Sequence, residues 1–217
     1  MRIINVLILF LITACATFSD KNVVYKPSNI GKTDKPILIT LKANFHTQLG
    51  FKYASLTRKN VMSGIDNCIM TQPGEGNDGY LKSVLCKTYF SLSKSFNLKL
   101  VESRTEIESN EVFNIRFELK EGVGIGEQIW SWSNFLTLTV IPYRGKRDFK
   151  TVINLTRAGN LVKDISSQAS FIEWRSIFLL PAMPFVDGYQ VGTEKVLASQ
   201  IARLDSFILE NLTDKLK

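Results

Sequence analysis

The clearest regularity in the chain is a period of two over residues 112–119, "VFNIRFEL", where Phe113, Ile115, Phe117 and Leu119 alternate with Asn114, Arg116 and Glu118. One apolar side and one polar side mark a strand with a single buried face. "ILITLKA" (37–43) and "NLKLVES" (97–103) carry weaker versions of the same pattern. "FLTLTVI" (135–141), closed by Pro142, and "FKTVINL" (149–155) are predicted to form a hairpin around a "YRGKRD" loop, with a further strand after the turn at Ala158-Gly159-Asn160. Short connections between successive strands point to an antiparallel sheet.

Elsewhere the period is helical. In "NDGYLKSVLCKTYFSLSKSF" (77–96), Leu81, Val84, Leu85, Thr88, Tyr89 and Leu92 recur at steps of three and four, and Asn77 or Asp78 can cap the start. Leu197, Ile201, Leu204, Ile208 and Leu212 repeat the pattern near the carboxyl end, with Thr193 as the expected cap. Val61, Ile65 and Ile69 hint at a helical turn or two within 44–70. Two one-faced helices need a shared apolar partner, and one face of the sheet supplies it. The expected fold is therefore α+β, a two-layer sandwich of mainly antiparallel sheet with two amphipathic helices on one face.

The amino end obeys neither period. Arg2 precedes an apolar run from Ile3 to Ile12 that only Asn5 interrupts, and Ser19, Asp20 and Lys21 close the stretch. A membrane-spanning helix needs about 20 mostly apolar residues, so the run reads as a secretory signal, not as a retained anchor. Its end, Ile12-Thr13-Ala14-Cys15, resembles the bacterial lipobox. The alternative is an ordinary small-residue cleavage site that happens to contain a cysteine. The resemblance implies cleavage after Ala14, diacylglycerol on the Cys15 sulfur and an acylated amino group, with no other cofactor. Three acyl chains exceed the two signals that stable anchoring takes. Ala16, standing where aspartate would favour the inner membrane, implies the outer membrane by the same resemblance. The organisation expected is a signal peptide at 1–14, lipidated Cys15 and a flexible tether at 15–35, then one globular domain at 36–217. The whole outline looks like small bacterial envelope lipoproteins, specifically so only over residues 1–15, and it carries over no functional residue beyond Cys15.

Composition narrows the classes. Apolar residues are 45% and charged residues 22% of the 217, enough for a real core and against disorder. Loss of Arg2 with the signal would lower the net charge from +7 to +6. The lysines are scattered singly, so the charge reads first as solvated surface; attraction to anionic headgroups or other envelope polymers is the functional alternative, and no basic block of a nucleic-acid-binding kind occurs. In an oxidising envelope Cys68 and Cys86 can pair in one way, across an 18-residue step holding Pro73, Gly74, Gly76 and Gly79. Such a bond would contribute about 3 kcal/mol if geometry allows it, and two buried thiols are the alternative.

Chemistry-bearing motifs are sparse. "GVGIG" (122–126) lacks both the G-x-G-x-x-G spacing and the Lys-Ser or Lys-Thr of a P-loop. His46 is the sole histidine, which leaves no imidazole-rich metal site, and no G-x-S-x-G elbow exists to present a serine to it. Glu102, Glu106, Glu108, Glu111 and Glu118 lie close in sequence and could converge as acid and base, though a solvated edge accounts for them as well. Trp130 and Trp132 would share a face on a strand, and with Trp174, Phe178, Met183 and Phe185 they could line a surface for an apolar or lipidic ligand or a partner, or dip into headgroups. The average burial of tryptophan favours a core role instead. The functional expectation is a non-enzymatic, lipid-anchored binding or assembly module for an envelope component or a protein partner. An envelope hydrolase using carboxylates and a surface-displayed interaction protein are the alternatives.

Overall fold

A computed structural model describes residues 14–19, 26, 35–47, 50–62, 77–121, 129, 132–133, 136, 143–176 and 189–213. Among the described residues, seven strands and four helices with defined bounds follow in the order β1 (Ala14–Ser19), β2 (Ile37–Thr47), β3 (Gly50–Ser55), α1 (Arg58–Met62), α2 (Asn77–Leu92), β4 (Leu98–Leu100), α3 (Arg104–Ser109), β5 (Glu111–Glu121), β6 (Tyr143–Arg157), β7 (Asn160–Ser176) and α4 (Tyr189–Thr213). They build one sheet of order β1-β7-β6-β5-β2-β3, in which β4 also pairs with β2. The pairs β1/β7, β2/β3, β5/β6 and β6/β7 are antiparallel, whereas β2 runs parallel to β4 and β5. The fold is α+β, with a mostly antiparallel sheet.

The two parallel pairs have a topological cause. Strands that run the same way cannot be joined by a tight turn, so the chain between β2 and β5 must cross over. It does so through β3, α1, α2, β4 and α3, and α2 packs on β2 and β3 as it passes.

Both amphipathic helices close the same core. Ile39, Leu41 and Phe45 of β2, Phe113, Ile115 and Phe117 of β5, and Phe149, Ile153 and Leu155 of β6 are buried in one cluster with Leu81, Val84, Leu85 and Leu92 of α2 and Leu197, Ile201, Leu204 and Ile208 of α4. Leu212 packs partly buried against it. At 20–33 cal/mol per Å² of apolar area, each such leucine, isoleucine or phenylalanine contributes about 1.5–3 kcal/mol. The alternation read in 112–119 is the β5 pattern, buried at Phe113, Ile115, Phe117 and Leu119 and open at Arg116.

Several expectations are corrected. "YRGKRD" (143–148) is no loop but the first part of β6, because its inward positions are admissible: Gly145 needs no room, and buried Arg147 meets Glu173 of β7 at 3.3 Å. The turn expected at Ala158-Gly159-Asn160 is present and joins β6 to the further strand, β7, with Arg157 paired to Asn160. Both turn residues have positive φ, 49° and 76°, the arrangement whose twist matches that of the flanking strands. Of "FLTLTVI", only Leu136 is described, and it is helical. Only Leu98–Leu100 of 97–103 is strand, and β3 and α3 carry no period that the sequence made visible. Thr193 is not a cap: α4 starts one turn earlier at Tyr189, so Thr193 lies buried inside the helix, after Gly192, at a helical glycine's penalty of about 1 kcal/mol. Val61 lies on α1 as expected, while Ile65 and Ile69 fall outside the described residues.

The tether also changes. Residues 15–19, expected to be flexible coil, form the edge strand β1 together with Ala14, expected to end the signal peptide, with Cys15 opposite Arg175 and Ala16 opposite Trp174. At 17 residues β7 is the longest strand, and its unpaired edge offers a backbone template that "ACATFS", with no proline or glycine, can fill. β1 also contacts α4.

Candidate functional site

The side chains singled out in the sequence scatter. Trp132 is 64% exposed and helical, so it lies neither in the core nor on a strand. Trp174 is partly buried on β7, with the Arg144 guanidinium carbon of β6 5.8 Å above its ring. Trp130, Phe178, Met183 and Phe185 lie outside the described residues. Cys86 is 3% exposed on α2 and is a disulfide cysteine; Cys68 lies outside the described residues.

The five glutamates are spread over α3 and its flanking strands, each held by a basic or backbone group. Glu106 receives Lys99 at 2.9 Å and Arg58 at 3.2 Å, Glu108 receives Arg104 at 2.7 Å, Glu111 receives Arg157 at 3.0 Å, and Glu118 faces Lys150 at 3.8 Å. The backbone N–H of Arg58 donates to Glu102. The Lys99 hydrogen bond, opposed by partial desolvation and aided by the charges of Lys99 and Arg58, holds the Glu106 carboxyl below the ordinary glutamate range. A general acid needs the opposite shift. Among the described residues no group of three His, Cys, Asp or Glu side chains is placed to share a metal ion, and the His46 ring lies against Phe51 with centroids 4.9 Å apart.

Two concavities lined by described residues have room for more than a single water. A groove of about 530 Å³ runs between α4 and β7, lined by Ile165, Ala202 and Phe207 and flanked by Arg203, which donates to Ser167 at 2.7 Å. The other is a polar recess of about 150 Å³ on the sheet face away from the helices, lined by Thr40 and Lys42 of β2, Asn114, Ile115 and Arg116 of β5, and Asn154 of β6. Its floor is braced. Thr40, 4% exposed, donates to Asn114 Oδ1 at 2.9 Å, Asn114 Nδ2 donates to Thr156 at 3.0 Å, and Thr156 donates to the Val112 carbonyl at 3.3 Å.

At its rim the parallel register sets Lys42 directly opposite Arg116. Like charges opposed across a strand pair are destabilising. Among the described residues neither cation has a carboxylate partner; Glu118 is turned to Lys150, and Asp164, opposite Asn154, stands two strands from Arg116. Sequence reasoning missed this site. Its only signal was that Asn114, Arg116 and Asn154 occupy outward positions of strands, which any solvated face would show.

Among the described residues no helix is long and apolar enough to cross a membrane. No protein-family model matches the chain, and no curated protein sequence matches it.

Proposed function

We propose that the protein is a lipid-anchored component of a bacterial cell envelope, most simply of the outer membrane, whose domain serves as a non-enzymatic binding or assembly module. The observation that carries the reading is the Ile12-Thr13-Ala14-Cys15 tetrapeptide at the end of an apolar run too short to span a bilayer. The seat of Cys15 supports it and refines it. Cleavage before Cys15 would make the acylated residue the first residue of β1, so the anchor would join the sheet edge directly. The domain would then lie against the headgroups, not at the end of a 20-residue coil. Two side chains at that end of the sheet suit the contact: Trp174, opposite Ala16, and Arg144 over its ring form an aromatic and basic pair of the kind that settles at a membrane interface. The same oxidising address favours a Cys68–Cys86 bond.

Metabolic labelling with palmitate, with Cys15→Ala as the unlabelled control, tests the anchor. Label on the wild-type chain, a mature terminus at an acylated Cys15 and recovery in the membrane fraction are expected. A wild-type chain recovered free of label with an unmodified Cys15 thiol refutes it.

A further inference from the structure

We infer that the recess bounded by Thr40, Lys42, Asn114, Arg116 and Asn154 is a binding site for a phosphoryl oxyanion. The assignment stands whether or not Cys15 is acylated. Four observations lead to it. Lys42 and Arg116, although 74 residues apart in sequence, are register partners across β2 and β5, so their repulsion is built into the strand pairing and cannot be relieved by choosing another neighbour. No described carboxylate compensates them: Glu118, two residues along β5, is turned to Lys150, and Asp164 is separated from β5 by the whole of β6. The space beneath them, about 150 Å³, equals the liquid volume of roughly five water molecules, enough for one tetrahedral oxyanion with part of its hydration. The floor is polar and fixed, because the hydrogen-bonded chain from Thr40 through Asn114 to Thr156 ties three strands together.

The donor set decides the class. A lysine ammonium, a planar guanidinium and the amide of Asn154, which has no hydrogen-bond partner among the described residues, converge from three adjacent strands. A flat carboxylate presents two oxygens in one plane, whereas a phosphoryl group presents three, with up to two charges to set against the two cations. An arginine fork and a lysine point charge together are the usual protein answer to that geometry. The phosphoryl group can arrive as free phosphate or as a phosphomonoester headgroup at a membrane surface; the chemistry at the recess is the same.

Calorimetry on the purified chain with inorganic phosphate at low ionic strength tests this, alongside vesicles of phosphatidylcholine with and without phosphatidic acid. Saturable phosphate binding is expected, weakened about tenfold or more for each of Lys42→Gln and Arg116→Gln, since hydrogen bonds to charged groups carry about 1.5–3 kcal/mol. Lys82→Gln with Lys94→Gln, which removes two charges on the α2 side just as the Lys42→Gln/Arg116→Gln double variant removes two at the recess, serves as the control. The control pair retains wild-type affinity if the site is local. Acetate at the same concentration competes poorly. A preference for phosphatidic acid vesicles that Lys42→Gln abolishes identifies a headgroup as the source; phosphate binding without vesicle discrimination identifies the free ion. Absence of saturable phosphate binding overturns the assignment, as does equal loss in the control pair or equal competition by acetate. Thermal unfolding without ligand supplies a second readout, since removing one of two opposed cations leaves the midpoint unchanged or raises it. A double variant that melts below wild type contradicts the repulsion on which the inference stands.

Discussion

The ion pair between Arg147 and Glu173 offers the sharpest test of how this sheet tolerates charge on its covered face. The two side chains are 9% and 2% exposed, and Arg147 Nη2 lies 3.3 Å from Glu173 Oε2 on neighbouring strands β6 and β7. Coulomb attraction at that separation is offset by the desolvation of both ions, so the pair as a whole adds little net stability. Removing one member is different, because the survivor keeps its desolvation penalty and loses the opposite charge that faces it from the neighbouring strand. Glu173→Leu is therefore expected to destabilise the fold by about 3–5 kcal/mol, and Arg147→Met by a comparable amount. For a chain of this size, at about 2–4 °C per kcal/mol, the unfolding midpoint falls by roughly 6–20 °C. The double variant, which removes both charges, is expected to return to within about 1–2 kcal/mol of wild type or to exceed it. Urea and thermal unfolding of the four proteins close the cycle. A single variant that loses less than about 1 kcal/mol, or a double variant whose loss equals the sum of the singles, refutes the reasoning, since additivity means that the two charges do not sense each other.

Other consequences are smaller and separable. Ala158 sits at φ 49°, where a non-glycine residue is strained and asparagine is better tolerated, so Ala158→Asn is expected to stabilise by about 0.5–1 kcal/mol in urea titrations. Gln200 is 1% exposed and neither amide atom has a hydrogen-bond partner among the described residues; Gln200→Leu is expected to raise stability by about 1–3 kcal/mol, and a loss of stability would show that the amide is satisfied. Glu106 has its folded-state pKa lowered, chiefly by the Lys99 hydrogen bond, so its contribution is present above the ordinary glutamate value and is lost as pH falls through the lowered one. Unfolding measured from pH 7 downward should show a shallower acid limb in Glu106→Gln. Thiol titration of the denatured chain before and after reduction should release two thiols if Cys68 and Cys86 are joined, and reduction should lower stability by about 3 kcal/mol.

What could be read from the sequence alone was whatever depends on near neighbours. The one-faced helices at 77–92 and 189–213, the alternating strand at 111–121 and the α+β class follow from side-chain periods of 3.6 and 2, which are properties of a local stretch of backbone. The turn at Ala158-Gly159 was visible for the same reason. Pairing was not visible, because it joins residues far apart along the chain. Nothing in "ACATFS" announces that it completes the edge of β7, and "YRGKRD" reads as loop until Glu173, 26 positions after Arg147, supplies the charge that makes a buried arginine admissible. The polar recess depends on the same kind of fact. Lys42 and Arg116 each look like an ordinary solvated strand residue, and only the parallel alignment of β2 with β5 turns two unremarkable cations into an opposed pair above a braced polar floor. Local periodicity determines which face of an element is buried; only the tertiary register decides which polar groups on the other face must meet, because the repulsion or attraction between them exists solely at the distance that pairing imposes.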